Sequence, residues 1–312
     1  MATDITAADT AATDTAAPRA EQSSGSPARA VLADATTITG LDALELGGRT
    51  SRAGLPMRIW QATWPKVLAI ALVVAVWQAL VWAQWRPPWA LPAPLEVFTQ
   101  LRDFSVTSQF WEAVATTLRR GLTGFLIAAV IGSAMGIVVA RNRILRAAVG
   151  SLITGLQTMP SIAWFPLAIL LFTDESAIMF VIVLGAAPSI ANGVISGVDY
   201  VPPLLLRAGR NIGATGWRLY AYVIAPASLP AIVAGLKQGW AFAWRSLLAG
   251  ELLVFIANRP ALGAQMEILR QLNDAAGVMA VMIAIFAVGV LADGVFGRVD
   301  RAVRRRWGVS ES

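Results

Sequence analysis

The chain contains no cysteine and no histidine, and only two of its 25 basic residues are lysines. Without thiols it forms no disulfide bond, and without thiols or imidazoles it offers no Cys or His ligand to a metal ion. It also has no imidazole to serve as a general base or proton relay. Charged residues are scarce at 14% of 312, whereas about 25% is usual in soluble domains.

Apolar residues take the place of the missing charges. They make up 56% of the chain, above the roughly 45–50% of soluble domains, so much of the surface must face lipid. The net charge is +6, and in a membrane protein this excess is typical of arginines at the cytoplasmic membrane edge. We therefore expect a membrane protein that contacts lipid and no nucleic acid.

Residues 1–56 are rich in Ala, Thr, Asp, Ser and Gly and have almost no large apolar clusters. Such a segment cannot bury enough surface to offset the entropy lost on ordering, so we predict a disordered cytoplasmic tail. It has no basic start followed by an apolar run, and so does not resemble a secretory signal. A passive extension and a regulatory segment both stay open. We predict a six-helix membrane domain at 57–308 and a short tail at 309–312.

Six stretches approach the roughly 20 apolar residues that a bilayer-spanning helix needs. They are Val67–Gln84, Gly121–Ala140, a stretch within Ala147–Phe172, a stretch within Ser176–Val198, Pro230 to about Ile256, and Ala275–Ala292. None has the polar stripe of a helix at a protein surface. The predicted fold class is therefore an all-α membrane protein with six transmembrane helices.

Basic residues in the flanks predict the orientation, because lysine and arginine concentrate on the cytoplasmic side. With both termini inside, the cytoplasmic flanks hold the arginines around 141–146, 207–218 and 298–306. Fewer fall outside, where the pair Arg119–Arg120 is the main exception. We predict a multi-pass protein of the cytoplasmic membrane with both termini in the cytoplasm. Outside, the prolines of 87–94 predict an extended link before a short surface helix over Leu95–Leu101.

The polar interruption between the fourth and fifth segments begins with a predicted short helix. Pro202 and Pro203 suit its start, because proline fits the first turn of a helix. Gly213 suits its end, because glycine adopts the left-handed conformation without strain. We therefore predict one short helix that is hinged at Gly213.

A second short helix is predicted directly after this hinge. It would place Trp217, Tyr220 and Ile224 on one face, and Pro226 would end it. The result is an amphipathic helix-turn-helix at the membrane surface. Such a unit either lies passively among lipid headgroups or fits a groove in a partner protein.

This segment resembles the EAA loop by which ABC-importer permeases dock onto their ATPase. Arg207-Ala208-Gly209 stands at the family's Glu-Ala-Ala, Gly213 follows after three residues, Val223 after nine more, and Ala225-Pro226 stands at Leu-Pro. The spacing matches throughout. Arg207 replaces the acidic residue, Ala225 replaces leucine, and glycine for alanine at 209 is the milder change. The resemblance implies a coupling loop at about 199–229, with contact residues Arg207, Ala208, Gly209, Arg210, Gly213, Trp217, Tyr220, Val223 and Pro226.

Other stretches resemble the nitrate/sulfonate/taurine/bicarbonate group of these permeases. Leu156–Leu167 is similar to the group's third-helix segment, and Leu91–Pro94 to its external Pro-x-Pro link. Ser228-Leu229-Pro230 is similar to its second Leu-Pro. Gly235-Leu236, Trp244 and Glu251 stand where the group has similar residues in its fifth helix.

The resemblance implies the type I ABC importer (MetI-like) permease fold and import of a small anion by alternating access. It also implies three partners: two ATPase subunits that hold the ATP and Mg²⁺, a second and probably identical permease, and an external substrate-binding protein. Neither Lys66 nor Lys237 follows a phosphate loop of the G-x-x-x-x-G-K-[ST] type. We therefore expect no cofactor in this chain and no enzyme activity of its own.

Charges and helix breaks inside the segments indicate candidate pathway residues. A charge at the bilayer centre costs roughly 2.5–3.5 kcal/mol, so it should face protein, water or an interface. Pro160, Pro166 and Pro188 should break or bend their helices, either as ordinary kinks or beside a wet cavity. The candidates are Met159, Pro160, Ser189, Asn192, Lys237, Trp244, Arg245 and Glu251.

Spacing within the fifth segment separates two sets of side chains. Lys237, Trp244 and Glu251 are seven apart and share one face, and Arg245 is about 120° from Glu251, too far round for a pair. Lys237 and Glu251 either snorkel to the interfaces or face protein. Arg245 either lines the pathway, pairs with a neighbouring helix, or lies nearer an interface than its position indicates. Its planar guanidinium suits a small oxyanion.

Two other functions stay open on the sequence. An ion- or proton-coupled secondary transporter is one, because Glu251 is the only carboxylate deep inside a predicted helix. Against it, the chain shows no repeated halves. A scaffold or receptor without transport is the other.

Overall fold

The computed structural model describes residues 55–256 and 259–307. The predicted tails at 1–56 and 309–312 therefore lie almost wholly outside the described residues. The chain divides after Ile70 into two units, and every contact discussed below lies in the second, Ala71–Ser312.

The described residues form helices and no β-strand. In chain order the helices are α1 (Leu55–Trp82), α2 (Pro94–Ser105), α3 (Ser108–Arg141), α4 (Arg143–Thr158), a 3₁₀ turn (Ser161–Trp164), α5 (Phe165–Leu171), α6 (Asp174–Asp199), α7 (Pro203–Asn211), α8 (Gly216–Leu219), a π-turn (Tyr220–Ile224), α9 (Ala225–Leu253), α10 (Leu262–Gln271) and α11 (Ala275–Arg306). Five helical stretches within the described residues are long and apolar enough to cross a membrane. The pair α4 and α5, bent by 102°, would be the sixth as a broken span.

The spanning helices are longer than their apolar cores. Helix α1 begins at Leu55 instead of Val67, and α3 begins at Ser108 instead of Gly121. Helix α11 begins at the predicted Ala275 but continues to Arg306. A hydropathy window marks only the part that suits lipid, whereas the hydrogen-bonded helix continues into the polar edges. The arginines that end α11 also interact favourably with the negative end of the helix dipole.

Helix α6 lies in the core, in contact with both α3 and α9. It crosses α9 at two glycines, because a Cβ on Gly193 would stand only 2.5 Å from the Gly235 Cα. The α6–α9 contact continues away from the crossing into a buried cluster that includes Ile182, Ile190 and Leu247. Close approach of the two backbones thus holds α9, the helix that follows the candidate coupling loop, against the core.

Of the three prolines predicted to break or bend their helices, one stands at a break. Pro160 separates α4 from the 3₁₀ turn, as predicted. Pro166 instead lies in the first turn of α5, where a proline needs no hydrogen-bonded N–H. Pro188 is buried inside α6, which continues from Asp174 to Asp199 without interruption.

Candidate functional site

Helix α7 begins and ends as the sequence predicts. Pro202 is its N-cap and Pro203 its first residue. At the other end Gly213 has φ of +84°. Its N–H donates to the Arg210 carbonyl at 3.0 Å, and the Ala214 N–H donates to the Gly209 carbonyl at 2.9 Å. These two bonds form a Schellman motif, which favours glycine at the left-handed position.

The second short helix does not end at Pro226, so that prediction is wrong. Residues Gly216–Leu253 form one continuous helical stretch through α8, the π-turn and α9. Pro226 falls in the first turn of α9, directly after the π-turn, where proline is tolerated. The predicted start of the fifth helix at Pro230 is therefore also wrong. The predicted coupling loop therefore continues directly into a spanning helix.

The two arms of the coupling loop pack on each other. Gly209 of α7 faces the π-turn so closely that a Cβ on it would lie 2.8 Å from Val223 Cγ2 and 3.1 Å from Leu219 Cδ1. Leu219 and Ile224 are buried with Val201 in a cluster beneath α7. The loop is therefore a packed unit with its own small core.

This unit lies at the end of the bundle where the ends of four other helices meet. Arg141, the last residue of α3, places its guanidinium 4.9 Å from the Tyr220 ring. Arg146 Nη1 of α4 lies 2.7 Å from Asp199 Oδ1, the last residue of α6. Trp307, which follows α11, lines a cavity of about 720 Å³ together with coupling-loop residues.

Large apolar side chains of this unit point away from its core. Tyr200 and Ile212 are each 84% exposed, Tyr222 is 76% exposed and Leu204 is 75% exposed. Trp217 is also exposed, but it lines a cavity of about 220 Å³ with Tyr220 and Ile224, so the predicted three-residue face does exist. Clustered exposed apolar residues mark a contact with a protein or a membrane.

The basic side chains of the coupling loop are free to contact a partner. Arg207, Ala208 and Arg210 are exposed, and neither arginine forms an ion pair with any described residue. Pro226 and Val223 are half-buried and line the 720 Å³ cavity. Gly209 is buried, which distinguishes it from the contact residues around it.

The candidate pathway residues fall into separate groups. Met159 and Pro160 are exposed at the break after α4. Ser189 is buried in α6, with no partner for its hydroxyl among the described residues, and Asn192 is half-buried one turn further on. Arg245 is exposed, lies 5.5 Å from the Phe242 ring and pairs with no carboxylate in the described part of the chain.

Lys237, Trp244 and Glu251 share one face of α9, as predicted, and this face is covered by other helices. A Cβ on Gly289 of α11 would stand 2.8 Å from Trp244 Nε1. A Cβ on Gly297, also in α11, would stand 4.0 Å from Lys237 Nζ. Lys237 and Trp244 therefore lie against α11, whereas Arg245 is exposed.

Glu251 does not snorkel; it is 1% exposed and bound on both oxygens. Its Oε2 accepts hydrogen bonds from Thr117 Oγ1 at 2.9 Å and from the Gly263 N–H at 3.2 Å. Its Oε1 accepts one from Arg120 Nη1 at 3.4 Å, and Arg120 is itself 3% exposed. Arg120 Nε also reaches Glu175 Oε1 at 3.4 Å, and Glu175 pairs with Arg259.

Sequence reasoning missed this network, although its signal was visible. A carboxylate inside an apolar helix requires partners, and Arg120 was assigned to the exposed outer flank because α3 was predicted too short. The same error of helix length affected α11: it contains Asp293, so Glu251 is not the only carboxylate inside a helix. Glu251 is nevertheless buried, whereas Asp293 is exposed.

The described helices include five that could cross a membrane, and a packed unit of short helices leads into one of them. The family described as "Binding-protein-dependent transport system inner membrane component" matches residues 114–305, more than half of the chain. The chain belongs to this family. It is a multi-pass ABC-importer permease and not an enzyme.

The chain is similar to several ABC transporter permeases. It is 30% identical to a putative ABC transporter permease protein of Methanocaldococcus jannaschii, over 73% of this chain and 86% of that one. It is 29% identical to the bicarbonate transport system permease protein CmpB of Synechococcus elongatus, over 69% and 81%. It is 27% identical to the taurine transport system permease protein TauC of Escherichia coli, over 59% and 69%.

A solved structure shows the same fold. The MetNI methionine ABC transporter, in inward-facing conformations, matches with a TM-score of 0.50 at 23% identity. The match covers 62% of this chain and 93% of that one. The MetI-like permease fold is thus confirmed.

Proposed function

We propose that this chain forms the membrane channel of an ATP-driven importer for a small oxyanion of the bicarbonate, nitrate or sulfonate class. The observation that carries the proposal is the packed coupling loop. It presents exposed apolar and basic side chains and continues directly into α9. A movement imposed on α7 by an ATPase would therefore reach the spanning helix without a flexible link, as alternating access requires.

The proposed assembly has three kinds of component: the permease, the ATPase and the binding protein. Two ATPase subunits bind the coupling loops and hold the ATP and Mg²⁺. A second permease copy, identical to the first, completes the channel, and an external binding protein delivers the solute. The many apolar side chains that α3 and α5 leave exposed in the single chain support burial against lipid or a second copy.

The coupling-loop end is the cytoplasmic end in this proposal, with both termini inside the cytoplasmic membrane. Arginines at 141, 146, 207, 210 and 218 lie in the elements that meet there, which agrees with the positive-inside rule. Arg120, which opposed this orientation, is buried and paired with carboxylates. It therefore does not count as an outer flanking charge.

An anionic solute is supported by the bicarbonate and taurine relatives and by Arg245. A guanidinium offers a planar fork that binds carboxylate, nitrate or sulfonate oxygens in pairs. Arg245 is the arginine of α9, it is exposed in the single chain, and no described carboxylate neutralises it. These properties suit a side chain that faces the pathway between two permease copies.

Reconstituted uptake tests the function. The permease, its ATPase and its binding protein are placed in proteoliposomes with ATP enclosed, and uptake of bicarbonate, nitrate and taurine is measured. We expect one of these anions to accumulate with ATP, and not with an ATPase whose phosphate-loop lysine is replaced. Uptake that continues without ATP but collapses with the proton gradient would contradict the proposal.

The alternative of an ion- or proton-coupled transporter rested on Glu251, and the surroundings of this residue do not support it. The Glu251 carboxylate is held by Arg120, Thr117 and the Gly263 N–H, and its side chain has no contact with solvent. A proton carrier needs access to water on each side in turn, which this environment does not provide.

A further inference from the structure

Helix α10 has no N-terminal cap of its own. The first N–H groups of a helix have no partner within it and are usually bound by a side chain just before the helix. Here that residue is Ala261, which has nothing to offer. The first two N–H groups are bound by distant residues instead: Leu262 donates to Thr117 Oγ1 at 3.0 Å, and Gly263 donates to Glu251 Oε2 at 3.2 Å.

Glu251 therefore caps α10 from the far end of α9. Its negative charge faces the positive end of the α10 dipole, which favours the contact further. The backbones touch as well, since a Cβ on Gly263 would lie 2.5 Å from Glu251 Cβ and 3.2 Å from the Glu251 backbone carbon. Thr117 completes the joint, because its hydroxyl donates to Glu251 and accepts from α10 at once.

The position of this joint gives it a consequence for coupling. Glu251 lies two residues before the end of a helical stretch, Gly216–Leu253, that begins inside the coupling loop. The end of that stretch far from the coupling loop is therefore held against α10. Helix α10 in turn presents Gln265 and Ile268 to a cavity of about 430 Å³ that also reaches Glu112 and Arg259. A protein bound over this cavity would contact α10.

We propose that Glu251 is a positioning residue that makes α9 and α10 move as one body, so that binding-protein contact with α10 is transmitted to the ATPase-coupling loop. The inference rests on the proposed function, because it needs the binding protein and the ATPase. Arg120 pairs with one oxygen of Glu251, and Thr117 and the Gly263 N–H bind the other, so that the direction of the side chain is fixed.

The first test compares conservative variants of Thr117 in the assembled permease–ATPase complex. Thr117→Val removes the hydroxyl that joins Glu251 to α10, Thr117→Ser keeps it, and Thr123→Val removes an exposed hydroxyl of the same helix that bonds mainly to its own backbone. The ratio of binding-protein-stimulated to basal ATPase activity is measured. We expect Thr117→Val to lower it by about fivefold or more, the low end of typical allosteric coupling, with basal activity and assembly unchanged.

The control variants separate the two ways in which this test can fail. Thr117→Ser and Thr123→Val should retain the parent's ratio. If the parent shows no stimulation by any binding protein, the proposed function fails. If the parent is stimulated and Thr117→Val is stimulated equally, the joint carries no signal and the inference is overturned.

A distance measurement tests the joint without relying on activity. Because the chain has no cysteine, Leu253→Cys on α9 and Ile268→Cys on α10, both at exposed side chains, give unique sites for two spin labels. The distance should stay constant when the ATPase dimer closes on ATP, and its distribution should broaden in Thr117→Val. A distance that changes with nucleotide in the parent would overturn the inference.

Discussion

Gly209 of α7 lies against Val223 of the π-turn with no room for another atom: a Cβ on the glycine would stand 2.8 Å from the valine Cγ2. The contact holds the short helix of the coupling loop onto the stretch that becomes α9. Glycine at this position looked like a mild departure from the family's alanine. In this chain the two arms of the loop pack this closely because residue 209 has no side chain.

Restoring the family's alanine should therefore weaken the loop. We expect Gly209→Ala to destabilise the protein by about 1–3 kcal/mol, the usual range for overpacking, and to reduce copurification of the ATPase. Gly155→Ala is the matched control, since a Cβ there meets nothing within 4 Å. Equal thermal stability and equal ATPase recovery for both variants would show that the Gly209–Val223 contact is not needed.

Gly213 is constrained by its backbone and not by its neighbours. Its φ is +84°, but a Cβ would meet nothing within 4 Å. Gly213→Val should therefore cost about 1–2 kcal/mol through left-handed strain alone, and Gly213→Asn clearly less, because asparagine tolerates that conformation. ATPase binding by the two variants, at equal membrane insertion, checks this order. Equal loss in both would indicate a lost contact and not strain.

Removing only one member of the buried pair Arg120–Glu251 should strongly lower the stability of the protein. Arg120→Met leaves the carboxylate without its cation and is expected to cost about 3–5 kcal/mol. The double variant Arg120→Met/Glu251→Leu removes both charges and should recover part of that loss. Thermal unfolding in detergent measures all three proteins. A double variant that is no more stable than Arg120→Met would mean that the charge pair is not the cause.

Arg245 should contribute to anion passage through the shape of its side chain. Arg245→Lys keeps the charge but loses the planar fork, and Arg245→Met loses both. We expect uptake in the reconstituted system to fall in that order while the complex still assembles. Uptake by Arg245→Met at the parent's rate would place the residue outside the pathway.

Local rules predicted local structure well. Pro203 begins α7, Gly213 ends it and Ala275 begins α11, because each of these depends on the backbone preferences of one or two residues. Within the described residues, hydropathy located the five long candidate spans and the bent pair α4–α5. It did not give their lengths, since helices continue into polar surroundings where hydropathy has no signal.

Contacts between distant segments could not be predicted in the same way. Nothing local pairs Glu251 with Arg120, which is 131 residues away, or places Gly209 against Val223. The π-turn was also missed, because it depends on how the loop packs and not on a sequence signature. As a result Pro226 was read as the end of a helix that in fact continues to Leu253.

Cross-linking to the ATPase tests the central claim most directly. The cysteine-free chain allows single sites: Leu204→Cys at the exposed face of α7, and Leu272→Cys, equally exposed beside α10 at the other end of the bundle. Each is coupled to a short photoreactive linker in the assembled complex. The account predicts that position 204 cross-links to the ATPase and position 272 does not. Cross-linking from 272 with none from 204 would contradict it.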